Sequence, residues 1–132
     1  MAKDFQKITK EQCEMLKEHA KENGGFFAEI DGRELQTLDA YLSAVWEVFQ
    51  FPKEQPNYYA YMDWIRDLDW LNANRYGLAI HHFDELLKQS SKDRKIIVEG
   101  FQETIFPWWE GEIVDCVVGG KPKPFDVYLV EG

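Results

Sequence analysis

Leu35, Leu38, Leu42, Val45 and Phe49 recur at steps of three and four, the cleanest periodicity in the chain. That spacing places large apolar side chains on one face of a helix, which needs an equally apolar surface to lie against. Thr37 can cap this helix, and Asp39 in its first turn favours the positive end of the helix dipole. Both flanks are punctuated. Upstream, Phe26-Phe27-Ala28-Glu29-Ile30 reads as a short strand closed by the turn pair Asp31-Gly32. Downstream, Pro52 and Pro56 break the chain into a loop.

The same alternation continues to the end of the chain. Tyr76 to Phe83 reads as a buried strand, and Ser90 or Ser91 can cap a helix carrying Ile97, Phe101 and Ile105. Pro107 should end or kink that helix. Phe125 to Val130 reads as a closing strand after Gly119-Gly120 and two prolines. Near the start, Thr9-Lys10-Glu11-Gln12 has the form of a capping box, followed by Cys13, Leu16 and Ala20 on one face and by the stop Asn23-Gly24-Gly25. This face is thin, so the first helix should lean on the domain rather than found it. Strand, helices, strand, helix, strand implies crossover connections, and hence an α/β fold with a mainly parallel sheet covered by helices. The 132 residues suit one domain. They show no internal repeat, no apolar stretch of membrane-spanning length and no export signal.

Charge narrows the partners. The formal net charge is −9, and residues 30–71 carry eight acidic groups against three basic ones. A phosphate backbone would be repelled, whereas a basic protein would be drawn in by the field. A second acidic run, Glu99, Glu103, Glu110, Glu112 and Asp115, lies in a stretch without Lys or Arg between Lys95 and Lys121. Cys13 and Cys116 are far apart and unpaired in spacing, which argues against a disulfide framework or a thiolate metal site and for reduced thiols in a cytoplasmic protein.

Catalytic signatures are weak. His81 and His82 are neighbours on an expected strand and point to opposite faces, so they cannot share one ion in regular geometry, with or without Asp84. No glycine-flanked serine elbow or phosphate-cradling loop is present. Asp63 with Asp67, or Asp67 with Asp69, could serve acid–base chemistry, but such pairs on a helix surface are commonly just solvated. What stands out is a stretch both aromatic and acidic, Asn57 to Leu71. Helical spacing puts Tyr58, Tyr61, Ile65 and Leu68 on one stripe, and Tyr59, Asp63, Arg66, Asp67 and Trp70 on another. Rigid apolar area beside fixed negative charge suits a protein interface. The competing reading is that Trp64 and Trp70 are core and the acids its rim.

Residues Glu29-Ile30-Asp31-Gly32 through Leu35, Thr37, Leu38 and Leu42 to Phe51-Pro52 resemble the barstar family, intracellular inhibitors of secreted bacterial ribonucleases. So do Asn57-Tyr58-Tyr59-Ala60-Tyr61-Met62-Asp63, Arg66-Asp67-Leu68-Asp69-Trp70-Leu71 and the closing strand Phe125 to Val130. The resemblance implies a small three-stranded parallel sheet packed by helices over residues 26–132, with residues 1–25 as an extra N-terminal helical extension. It implies an inhibitor rather than an enzyme, without metal or cofactor, whose partner is a basic ribonuclease and neither nucleic acid nor membrane. Asp63 matches the family's central binding aspartate and would accept charge-assisted hydrogen bonds from the target. Tyr58 or Tyr59, Asp67 and Trp70 would flank it, and Glu103 would assist from the later helix. The chain departs from the family pattern at Tyr59, where a second aspartate is usual, at Met62, and in the shortened loop Lys53 to Pro56. Two other readings stay open: a binding module of the same fold with a non-nuclease basic partner, and an enzyme built on His81, His82 and Asp84.

Overall fold

The computed structural model describes residues 3–131. Four strands, β1 (Gln6–Thr9), β2 (Phe26–Asp31), β3 (Tyr76–His81) and β4 (Phe125–Glu131), form one sheet in the order β1-β4-β3-β2. Every neighbouring pair is parallel, with Ile8 opposite Val130, Ile30 opposite Ile80 and Leu78 opposite Val127. The expected count of three is therefore corrected to four. The additional strand is β1, which pairs with β4 at one edge and has only Ile8 buried.

Helices cover both faces, as parallel strands require. On one side lie α2 (Leu38–Val48), α3 (Tyr58–Ile65) and α4 (Ser91–Gly100). They enclose the main core around Leu42, Val45, Phe49, Ile65, Phe101 and Phe125. Thr37 caps α2 by accepting from the Ala40 amide, and Ser90 caps α4 by accepting from that of Asp93. The other face is covered by α1 (Lys10–Glu22), over a small cluster of Ile8, Cys13, Ala79, Tyr128 and Val130. Its capping box is complete: Gln12 N donates to Thr9 Oγ1 and Thr9 N donates to Gln12 Oε1.

Strand alternation sorts the side chains between these layers. In β4, Phe125 and Val127 enter the main core while Asp126 faces the α1 side. Burial of Asp126 is offset by Lys3 at 2.6 Å, Arg75 at 3.0 Å and the Gln6 amide at 3.0 Å. Although burial works to raise its carboxyl, Lys3 and Arg75 hold it below the ordinary aspartate value. The pairing also ties the start of the chain to the sheet.

Pro107 does not end its helix. After α4 the chain keeps coiling through π-type turns at Phe101–Ile105 and Trp108–Glu112, with Pro107 between them, into α5 (Ile113–Cys116). Wider i→i+5 turns accommodate a residue that has no N–H to donate. β3 stops at His81 rather than Phe83 because His82 takes a left-handed φ of 52°.

Candidate functional site

Asn57 opens α3 by accepting the Ala60 amide at 2.9 Å. The inner side of α3 carries Tyr61 and Ile65, both fully buried, and the Tyr61 hydroxyl meets that of Tyr41 at 2.8 Å. One turn apart on the outer side stand Tyr59, 83% exposed, and Asp63, whose side chain is 78% exposed. Tyr58 lies between these sides, half-buried beside Tyr61, with burial raising its phenol.

The helix is shorter than its apolar spacing predicts: it stops at Ile65 rather than continuing to Leu71. Two indoles from the π-type stretch terminate it. Trp109 Nε1 donates to the Ile65 carbonyl at 3.1 Å and Trp108 Nε1 to the Arg66 carbonyl at 2.8 Å. Leu68 then takes a left-handed φ of 57° while remaining fully buried. Burying a leucine contributes about 1.5–3 kcal/mol, enough to offset the roughly 1–2 kcal/mol cost of that conformation. A 3₁₀ turn, Asp69–Leu71, follows.

This break redistributes the expected site residues. Asp67 is half-buried, and its Oδ1 accepts the Asp69 amide at 3.2 Å. Burial, joined by the adjacent Asp69 charge, raises its carboxyl above the ordinary value although that amide pulls the other way. Trp70 is turned inward: its Nε1 donates to the Phe49 carbonyl at 2.9 Å, and its ring meets Phe51 and Trp64 edge-on. It holds the loop before α3, together with Trp46, which donates to the Pro52 carbonyl, and Trp64, which donates to the Glu54 carboxylate. Glu103 is exposed on the π-type turn just beyond Gly100. A Cβ on Gly100 would lie 2.8 Å from Met62 Cε and 3.5 Å from the Tyr58 hydroxyl, so that turn adjoins α3.

Asp63 and Asp67 line an open cleft of ≈ 540 Å³ with Asp69, Arg66 and Trp108. Lys121, Lys123 and the exposed Val117 and Val118 complete its far wall. Arg66 reaches Asp63 at 3.5 Å, and Lys123 donates to the Ala73 carbonyl at 2.9 Å and the Tyr76 hydroxyl at 3.2 Å. The cleft is thus less negative than the local sequence suggests. The Asp63–Arg66 pair is exposed, however, and such pairs contribute about 0–1 kcal/mol, so an incoming cation can replace it. Asp69 and Trp108 are additions to the residues that the sequence points to, whereas Arg66 shares the helical stripe of Tyr59 and Asp63 without a binding role assigned to it. Asp69 had a signal in its place beside Asp67, whereas Trp108 is delivered by a helix that continues past a proline.

His81 and His82 answer to different carboxylates. His81 Nε2 lies 2.9 Å from Glu29 Oε1, and His82 Nδ1 lies 2.9 Å from Asp31 Oδ1.

A family model described as barstar (barnase inhibitor) matches residues 25–129. Among curated proteins and among solved structures, no match was found.

Proposed function

The chain belongs to the barstar family, and from that premise we propose that it blocks the active-site cleft of a basic ribonuclease through α3 and the loop before it. The observation that carries this reading is Asp63, its side chain 78% exposed on the outer side of α3 and lining the cleft beside Asp67 and Asp69. Asp63 is the anchor, accepting charge-assisted hydrogen bonds from an Arg, Lys or His that otherwise contacts substrate phosphate. Tyr59 and Tyr58 supply rigid apolar area beside it, and Asp67 adds negative charge. Glu103 contributes from the neighbouring turn. Trp70 acts indirectly, by holding the loop against Phe49 and Phe51.

The family is one of inhibitors, and the proposal includes no catalytic step. No described helix is long and apolar enough to cross a membrane. The cytoplasmic location expected from the sequence is part of the proposal. So is the division into residues 1–25 and a barstar-like domain over 26–132.

The test is titration of the full chain into a barnase-type ribonuclease digesting RNA at low salt. Stoichiometric inhibition supports the proposal. A complex that leaves digestion untouched favours the second reading, a binding module for a non-nuclease basic protein. The exposed phenol of Tyr59, standing where the family carries an aspartate, favours that second reading.

A further inference from the structure

Three side chains that can bind a metal, from three different elements, converge on the α1 side of the sheet. Cys13 comes from α1, Glu29 from β2 and His81 from the end of β3. Cys13 Sγ lies 3.5 Å from Glu29 Oε1, His81 Nε2 lies 2.9 Å from the same oxygen, and all three ligand atoms fall within 4.8 Å of one another. Around a tetrahedral zinc ion, with bonds of about 2.0–2.3 Å, such atoms stand about 3.3–3.7 Å apart. The cluster therefore needs only small side-chain adjustments to close on an ion.

We infer that Cys13, Glu29 and His81 form a binding site for a zinc-class divalent cation. Thiolate, carboxylate and neutral imidazole is a mixed S/O/N set suited to borderline ions, in contrast to the all-oxygen sets of magnesium or calcium. One thiolate and one carboxylate neutralise the charge of the ion. As the sulfur–metal bond forms, the Cys13 thiol gives its proton to solvent. Lys17 does not compete for the ligating atom: its Nζ lies 3.1 Å from Glu29 Oε2, leaving Oε1 toward the cluster. It orients the carboxylate from outside, as groups behind metal ligands do.

Access is available. Cys13 is only 1% exposed, but Glu29 and His81 line an open cleft of ≈ 550 Å³ that also contains Asp31 and His82. A fourth position on that side would be filled by water or by a ligand from a partner. The cluster lies at the His81 end of β3, whereas the Asp63 cleft adjoins Tyr76 at its other end through Lys123. A six-residue strand spans roughly 20 Å, so the two sites are separable by mutation.

Cobalt(II) titrated into the metal-stripped full chain tests the site. The expected result is one equivalent bound, with a thiolate-to-cobalt charge-transfer band. That band should be lost in Cys13→Ser and retained in Cys116→Ser, which alters the exposed cysteine. Glu29→Gln, checked by circular dichroism for a native fold, should weaken cobalt binding by about tenfold or more. Absence of the band in the unaltered chain, its survival in Cys13→Ser, or unchanged affinity in folded Glu29→Gln would overturn the assignment and leave a hydrogen-bonded cluster. Asp63→Ala should bind cobalt as the parent does, and loss of binding there would contradict the separation of the two sites.

Discussion

Trp108 and Arg66 hold each other. The indole donates Nε1–H to the Arg66 carbonyl at 2.8 Å, and the Arg66 guanidinium lies 5.1 Å from the centre of the same indole ring. Arg66 in turn stands beside Asp63 at 3.5 Å. The π-type stretch thereby fixes both the end of α3 and the cation next to the proposed anchor. Trp108→Phe keeps an aromatic ring but removes the donor. The expected loss is about 1 kcal/mol, read from urea unfolding. Unchanged stability would mean that the end of α3 does not depend on this bond.

Tyr41 and Tyr61 give a sharper test of how α2 and α3 are joined. Their hydroxyls are 2.8 Å apart in the core, and burial raises both phenols so that the pair stays neutral. Tyr61→Phe leaves the Tyr41 hydroxyl buried without its partner, at a cost of about 1–3 kcal/mol. Tyr41→Phe combined with Tyr61→Phe should recover much of that loss, because neither side then carries an unpaired group. A double variant as unstable as the two single losses added would refute the pairing.

Asp126 predicts the acid limb of stability. Its carboxyl is held below the ordinary value, with burial opposing and Lys3 and Arg75 outweighing it. A depressed folded-state value means that the unfolded chain takes up the proton first. The contribution is therefore present above about pH 4, the ordinary aspartate range, and is lost as pH falls from there through the lower folded-state value. Asp126→Asn should reduce stability at neutral pH and flatten the decline on acidification. Parallel acid profiles for parent and variant would contradict this assignment.

Features set by neighbouring residues were the most legible in the sequence. The Thr9–Gln12 capping box, the Thr37 and Ser90 caps and the Leu38, Leu42 and Val45 spacing of α2 depend on groups a few positions apart, and all are present, whereas Leu35 precedes the Thr37 cap and Phe49 is the C-cap. β1 escaped notice because a four-residue edge strand with only Ile8 buried carries little alternation. Its place is set by pairing with β4 and by Lys3 and Gln6 on Asp126, more than a hundred residues away. The end of α3 was hidden for a different reason. Apolar spacing runs on through Leu68, but the indoles that terminate the helix come from Trp108 and Trp109. Helical spacing therefore puts Asp67 and Trp70 on the Tyr59 stripe, whereas the chain turns between them and sends Trp70 inward. The meeting of Cys13, Glu29 and His81 depends on sheet register and on α1 crossing the sheet, and no local pattern encodes it.

Binding through an acidic surface should also respond to ionic strength. If the chain associates with a basic ribonuclease, the association rate should fall as salt is added while dissociation changes little, because steering acts over a Debye length of about 10 Å at 0.1 M. Stopped-flow mixing across a salt series would read this directly. A rate independent of salt would remove electrostatic steering from the account.

The most direct measurement compares the parent chain with Asp63→Ala as inhibitors of a barnase-type ribonuclease, at low salt and matched concentration. The account predicts stoichiometric inhibition by the parent. It also predicts a loss of about 2 kcal/mol or more in the variant, roughly 30-fold or greater in Kd. Equal inhibition by both chains would contradict Asp63 as the anchor, and inhibition by neither would contradict the ribonuclease as the partner.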